Sequence, residues 1–324
     1  MTSGSGSVGS FRVTSGGFTP VAFQAAVTTA CFSFAFATAR YTPFRQHPRT
    51  IDGQPFITSW NNKQARGYAG ADTNLFSSVY RSQLLDKQIR KRLAGGHKLE
   101  LPELIDAMEE AGTTDLRAQE DLPLALAVIG GHEPKTGAVA EALAKLRAWL
   151  ASGGQRRDRD NDKVYDHADA VRILDAWWPL WLKAEFQPVL GKAVFDQVAS
   201  LYMFSNDPNN HGDHLGSAWQ DGWYGYVAKD LRTLLGRRVR QRYALRYCGG
   251  GRLARCRGAL LSSLAAAIAI PATKVYPGDA ACAAGDQWCW DSVRFRPLGV
   301  ATQPLIPWIN RPTYQQVVEV QSHR

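Results

Sequence analysis

The chain has 324 residues, 45% of them hydrophobic and 21% charged, a balance that excludes a disordered or fibrous protein. A mean hydropathy of −0.27 argues against a multi-span membrane protein. Lys and Arg total 38 against 29 Asp and Glu, a net charge of +9, which permits contacts with nucleic acid or acidic surfaces without demanding them.

Met1–Gly17 is rich in Ser and Gly and nearly uncharged, as a flexible segment is. Gly4, Gly6 and Gly9 have the spacing of a dinucleotide fingerprint. No strand pattern precedes them and no helix pattern follows, so they read as linker. The apolar run Phe18–Ala39 ends in small residues and imitates the core of a signal peptide. Only Arg12 supplies a preceding charge and Pro20 interrupts the run, so it reads as a buried strand or a degenerate leader. Phe56, Thr58 and Trp60 then alternate with Ile57, Ser59 and Asn61, the period of a short strand.

Helical spacing dominates the next two hundred or so residues. Tyr80, Leu84, Leu85, Ile89 and Leu93 form one stripe, closed by Gly95-Gly96. Leu101, Leu104, Ile105, Met108 and Ala111 form a second, with Pro102 in its tolerant first turn. Val139, Leu143, Leu146 and Leu150 form a third that stops at Gly153-Gly154. The charge run Gln155–Asp162 has no apolar residue and reads as a solvated loop. A Trp-rich helix follows through Val171, Leu174, Trp178 and Trp181, with a kink predicted at Pro179. Another helix runs from Trp219 to Leu235. From Val293 the pattern returns to strands, ending in the Val317–Val320 run. A helical insert between strand-forming ends is α+β rather than alternating α/β.

Few constellations carry chemistry by spacing alone. His211, Asp213 and His214 have metal-ligand side chains but fit no standard zinc spacing, and read as a polar loop. Arg237, Arg238, Arg240, Arg242, Arg246, Arg252, Arg255 and Arg257, interleaved with Tyr243 and Tyr247, suit phosphate contacts. The plainer reading is the charged outer face of a helix near its C-terminal end. Cys248 with Cys256 and Cys282 with Cys289 lack zinc-knuckle spacing and read as two local disulfides of an exported protein, leaving Cys31 over. Neither a Gly-x-Ser-x-Gly elbow, a Walker loop nor a His-Glu-x-x-His helix is present.

The segment Phe56-Ile57-Thr58-Ser59-Trp60-Asn61-Asn62-Lys63, followed by Asp72 and Tyr80-Arg81, resembles the penicillin acylase family of N-terminal-nucleophile amidohydrolases. The stretches Tyr247–Gly251, Gln287–Cys289 and Asn310–Val318 resemble its actinobacterial-type members, and the likeness runs from about Gln46 to Arg324. The resemblance implies a partial four-layer αββα fold with a large helical insert. It divides the chain into an unmatched leader (1–45), a core strand segment (46–82), a mainly helical region (83–290) and a C-terminal strand region (291–324). It implies hydrolysis of linear acyl-amides such as penicillins or N-acyl homoserine lactones, in an exported protein. An N-terminal Ser attacks the carbonyl with its own α-amino group as base. By the same resemblance Asn61 donates to the oxyanion, Arg81 orients Asn61 and the substrate, and Asp72 is one ligand of a structural calcium.

One departure matters. In the family the nucleophilic Ser lies a few hundred residues ahead of the Trp-Asn-Asn motif, whereas 59 residues precede Trp60 here. Ser3, Ser5, Ser7, Ser10 and Ser15 lie in linker-like sequence and take no such role. The chain therefore reads as a C-terminal part of an acylase β-subunit, inactive alone and partnered by upstream acylase segments, with no nucleic-acid or membrane partner. The alternative is a non-catalytic binding module that uses the Arg-rich helical face.

Overall fold

The structure, a computed structural model, describes residues 43, 45, 55–58, 79–201, 223–279 and 282–292. Every element named below lies in the unit Phe56–Arg324. The regular elements among the described residues are helices, which agrees with the helical insert. The flanking strands, and with them the αββα layers, fall largely outside the described residues. Of the strand predicted over Phe56–Asn61, Phe56–Thr58 is described and makes no strand pairing.

Helix α1 (Val79–Arg92) carries the first predicted stripe and ends on Arg90, Lys91 and Arg92, where cations suit the helix dipole. After a short 3₁₀ turn at Ala94–Gly96, α2 (Leu101–Thr113) opens with a capping box. The Glu100 N–H donates to Glu103 Oε2 at 2.9 Å, and Pro102 sits where its missing donor costs nothing. A π-helical turn (Arg117–Asp121) leads into α3 (Leu122–Ile129). This helix is apolar on every side because its surroundings are: Leu122, Leu124, Ala125, Val128 and Ile129 are all buried.

Helix α4 (Ala138–Ala151) ends at Gly153-Gly154 as predicted. There the chain makes an isolated antiparallel bridge, Thr114 to Gln155. The Asp115 N–H donates to the Gly154 carbonyl and the Arg156 N–H to the Thr113 carbonyl. Helix α5 (Ala168–Leu190) continues through Pro179 and Pro188. Its Trp177, Trp178 and Trp181 are wholly buried, with Trp178 set edge-on to Trp181 at a 5.3 Å ring separation. Next come α6 (Lys192–Leu201), α7 (Trp223–Leu234) and α8 (Leu253–Ile268). Two short helices, α9 (Ala272–Val275) and α10 (Gln287–Asp291), complete the set.

The centre of the core is the α5–α8 pairing, with α4 against both. Small residues on α8 (Ser263, Ala267) let it approach the tryptophans of α5. The approach is close enough for Trp177 Nε1 to donate to Ser263 Oγ at 2.9 Å. Both predicted disulfides are present, Cys248–Cys256 and Cys282–Cys289, with Cα separations of 4.9 and 5.6 Å. The first ties the turn Cys248–Gly251 to α8. Gly249 has φ +59°, and a Cβ there would lie 2.3 Å from the Cys256 amide nitrogen, so only glycine allows that approach.

Candidate functional site

Of the residues singled out for the site, Arg81 alone falls within the described residues, near the start of α1. Asn61 and Asp72 lie outside the described residues, as do His211, Asp213, His214 and Cys31. Arg81 lies within α1; its backbone is described and its side chain is not. The described flanks of these residues meet. Thr58, three residues before Asn61, donates its hydroxyl to Asp86, five residues after Arg81. Phe56 lies under the Arg90 guanidinium, 5.1 Å from ring centroid to Cζ. The segment leading to Asn61 is thus held against the helix that carries Arg81.

A second arrangement was not legible in the sequence. Asp115, Arg117, Arg156, Asp175 and Asp291 form a buried ionic network at the join of the π-turn, α5 and α10. Arg117 lies along Asp115, with Nε at 3.0 Å and Nη2 at 2.5 Å. Its Nη2 also reaches Asp175 at 2.8 Å. Arg156 donates from Nε to Asp115 at 3.1 Å, from Nη1 to Asp291 at 2.5 Å, and from Nη2 to Asp175. Tyr165 donates to Asp291 at 3.0 Å and Tyr276 to Asp175 at 2.7 Å. The Gln287 amide donates to Tyr276 at 2.6 Å.

Three carboxylates face two guanidinium groups, and the acidities follow. Burial by itself would raise Asp115, but Arg117 and Arg156 bring its carboxyl down to about 2. Burial raises Asp291 to about 7; Arg156 opposes the rise and the neighbouring charge of Asp175 adds to it. Burial likewise pushes the Tyr165 and Tyr276 hydroxyls well above their ordinary range. The network is sealed, so it positions backbone rather than meeting a substrate. It corrects the reading of Gln155–Asp162 as a uniformly solvated loop, because Arg156 is among the most buried side chains of the chain. Only the later part of that run is at the surface.

That later part contains the described residues most suited to a cation. Asp158, Asp160 and Asp162 each offer an oxygen, all within 4.8 Å of one another. Three oxygens are half or fewer of those calcium takes. The nearby Asp166 and Asp169 are engaged by Arg159 and Lys145. A surface cleft of about 250 Å³ beside them is lined by Lys163, Asp169, Arg172 and Asp286 among others. It mixes both charges and brings together no nucleophile and base.

The Arg-rich stretch also differs from expectation. Helix α7 stops at Leu234, and Arg237–Arg246 form a loop rather than the outer face of a helix. No described helix is long and apolar enough to cross a membrane.

The family model for penicillin amidase matches residues 23–298. It takes in residues 23–45, which the sequence resemblance left out, and stops short of 299–324, which the resemblance included. No curated protein matches the chain.

Proposed function

The chain belongs to the penicillin amidase family, and we propose that it serves hydrolysis of the carbon–nitrogen bond of linear acyl-amides, penicillins and N-acyl homoserine lactones being the substrate types. The family match over most of the chain carries this reading. The anchoring of the Asn61-bearing segment on the Arg81-bearing helix supports it, through Thr58 with Asp86 and Phe56 with Arg90.

In this proposal Asn61 presents its side-chain N–H groups to the oxyanion that forms when the amide carbonyl is attacked. Such a donor acts on charge that develops only in the transition state. Arg81 holds the Asn61 carbonyl and the substrate in register. The nucleophile is an N-terminal Ser whose α-amino group takes the hydroxyl proton, and none of the serines near Met1 is assigned to it. We therefore propose that this chain is the C-terminal part of the catalytic subunit, of actinobacterial type and exported, and that upstream acylase sequence provides the Ser. Calcium enters the proposal as a structural ion with Asp72 as one ligand; when bound, it supplies rigidity and no chemistry.

The test is to purify the chain and assay it against a chromogenic phenylacetyl or long-acyl anilide, then repeat with the Ser-bearing segment supplied. The expected result is turnover only in the second case. Turnover by the chain alone that Asn61→Ala abolishes would show an internal nucleophile and overturn the C-terminal-part reading. No turnover in either case, against a panel of acyl groups, would overturn the amidase reading.

A further inference from the structure

Charge is distributed very unevenly along this chain. Between Asp230 and Asp279 there is no acidic residue, while Arg232, Arg237, Arg238, Arg240, Arg242, Arg246, Arg252, Arg255, Arg257 and Lys274 all lie there. These are ten cations, and the whole chain nets +9, so the remaining residues net −1. The chain's basicity is a property of this stretch.

The structure gathers most of it on two adjoining segments. Arg237, Arg238, Arg240, Arg242 and Arg246 are exposed on the loop after α7, and Arg252 and Arg255 are exposed at the start of α8. The Cys248–Cys256 bridge joins the segments. Arg246 packs over Gly251, its side-chain carbons 2.9 to 3.7 Å from where a Cβ would be. Tyr243 braces the loop on α7 by stacking on Tyr226 and lying under Lys229, 4.2 Å from its Nζ. None of these seven arginines makes an ion pair among the described residues. Arg252 and Arg255 also stand at the positive end of a helix dipole with no acid in the first turn, an arrangement that disfavours folding. Two leucines sit among them with apolar surface in water: Leu245, 52% exposed between Ala244 and Arg246, and Leu253, 40% exposed after Arg252.

We propose that this face docks peripherally on an anionic lipid surface, arginines on the headgroups and Leu245 and Leu253 dipping into the interface. Clustered arginines around exposed apolar side chains match a charged headgroup layer over hydrocarbon. The two disulfides indicate an oxidising compartment, where lipid headgroups are plentiful and nucleic acid is not. The contact lies on the membrane and spans nothing. It also stands apart from the amidase reading, since it needs neither Asn61 nor a nucleophile.

The experiment is co-sedimentation of the full chain with vesicles of phosphatidylcholine alone and of equal parts phosphatidylcholine and phosphatidylglycerol, over a range of salt. Binding is expected only to the anionic vesicles, weakening as salt rises. Each arginine neutralised at the surface should lower the partition coefficient about fivefold, so Arg240→Gln with Arg242→Gln costs roughly 25-fold. Leu245→Ser with Leu253→Ser should cost about tenfold or more at any salt. Circular dichroism confirms that the variants fold. Equal binding to neutral vesicles, or arginine variants that bind as the parent does, overturns the proposal. Tighter binding to duplex DNA than to anionic vesicles at the same salt would assign the face to nucleic acid and overturn it as well.

Discussion

Arg156 and Asp291 stand 135 positions apart in sequence and meet in the interior, Nη1 to Oδ2 at 2.5 Å with both side chains essentially inaccessible. The pair joins the loop after α4 to α10 near the end of the described chain. Because Arg156 also holds Asp115 and Asp175, one guanidinium closes three long-range connections. Replacing it by Ala leaves three buried carboxylates with Arg117 alone. Removing one partner of a buried ion pair costs about 3–5 kcal/mol, so Arg156→Ala should shift the urea unfolding midpoint strongly downward. Arg156→Lys should recover part of the loss, since an ammonium cannot reach three acceptors in the guanidinium plane. An Arg156→Ala protein as stable as the parent would show that the network does not hold these elements.

The surplus carboxylate makes a pH signature. Asp291 is raised to about 7 in the folded protein, above its ordinary carboxylate range. Its contribution to stability is therefore full below about pH 4 and is lost as pH rises towards 7. Asp115, lowered to about 2, has the opposite sign: its contribution is present above about pH 4 and is lost as pH falls through 2. Unfolding free energies of the parent minus those of Asp291→Asn should fall between about pH 4 and 7 and be flat above. A difference that is flat over that window and falls away only below about pH 4 would mean Asp291 is ionised in the fold, with Arg156 outweighing burial.

The Cys248–Cys256 bridge closes a short loop, worth about 2–3 kcal/mol by loop entropy. It also pins the turn whose N–H groups cap Asp230, Cys248 N at 2.8 Å and Tyr247 N at 3.2 Å. Cys248→Ser with Cys256→Ser should lower the unfolding free energy by about that amount. Gly249→Ala should do at least as much harm with the cysteines in place, because its Cβ meets the Cys256 backbone. Non-reducing peptide mapping of Gly249→Ala should find a larger share of free thiol at these two cysteines; full oxidation with parent stability would disprove the close approach.

Calcium can be assigned by substitution. If Asp72 is a ligand, millimolar calcium should raise the melting temperature of the parent and not of Asp72→Asn. Asp158→Asn with Asp162→Asn should leave the calcium response intact. The reverse pattern would move the ion to the 158–162 loop, where the three oxygens converge, and the Asp72 assignment would be wrong.

Helices with one apolar stripe were legible in the sequence. The Tyr80, Leu101 and Val139 stripes became α1, α2 and α4, each with its stop signal or cap where predicted. Helix α3 left no such trace because LPLALAVI is apolar all round and has no period to detect. The Ala-rich α8 was obscured by the cysteines and glycines at its start, which draw the eye to a turn. Arg156 was misread for a related reason. Its neighbours Arg157, Asp158, Arg159 and Asp160 make a charge run, and its partners lie 19, 41 and 135 residues away, beyond any local pattern. The assigned catalytic residues came from motif likeness rather than from periodicity, and Asn61 and Asp72 fall outside the described residues.

Asn61 and Arg81 are separable by kinetics. With the Ser-bearing segment supplied, Asn61→Ala removes a donor that acts on the developing oxyanion. It should lower kcat by about 10²–10³ with little change in KM. Arg81→Ala acts by positioning: it should lower kcat less and raise KM, and Arg81→Lys should restore part of the loss. Removing the nucleophilic Ser in the same assembly should cost on the order of 10⁶, which sets the floor for the comparison. The anchoring contact supplies an internal control. Asp86→Ala breaks the Thr58 bond that holds the Asn61 segment to α1 without touching substrate. Its kcat should fall in the same direction as that of Asn61→Ala but by a smaller factor, and combining the two should cost little more than Asn61→Ala alone. Fully additive losses would show that Asp86 acts independently of Asn61, and an unchanged rate in Asn61→Ala would remove it from the oxyanion site.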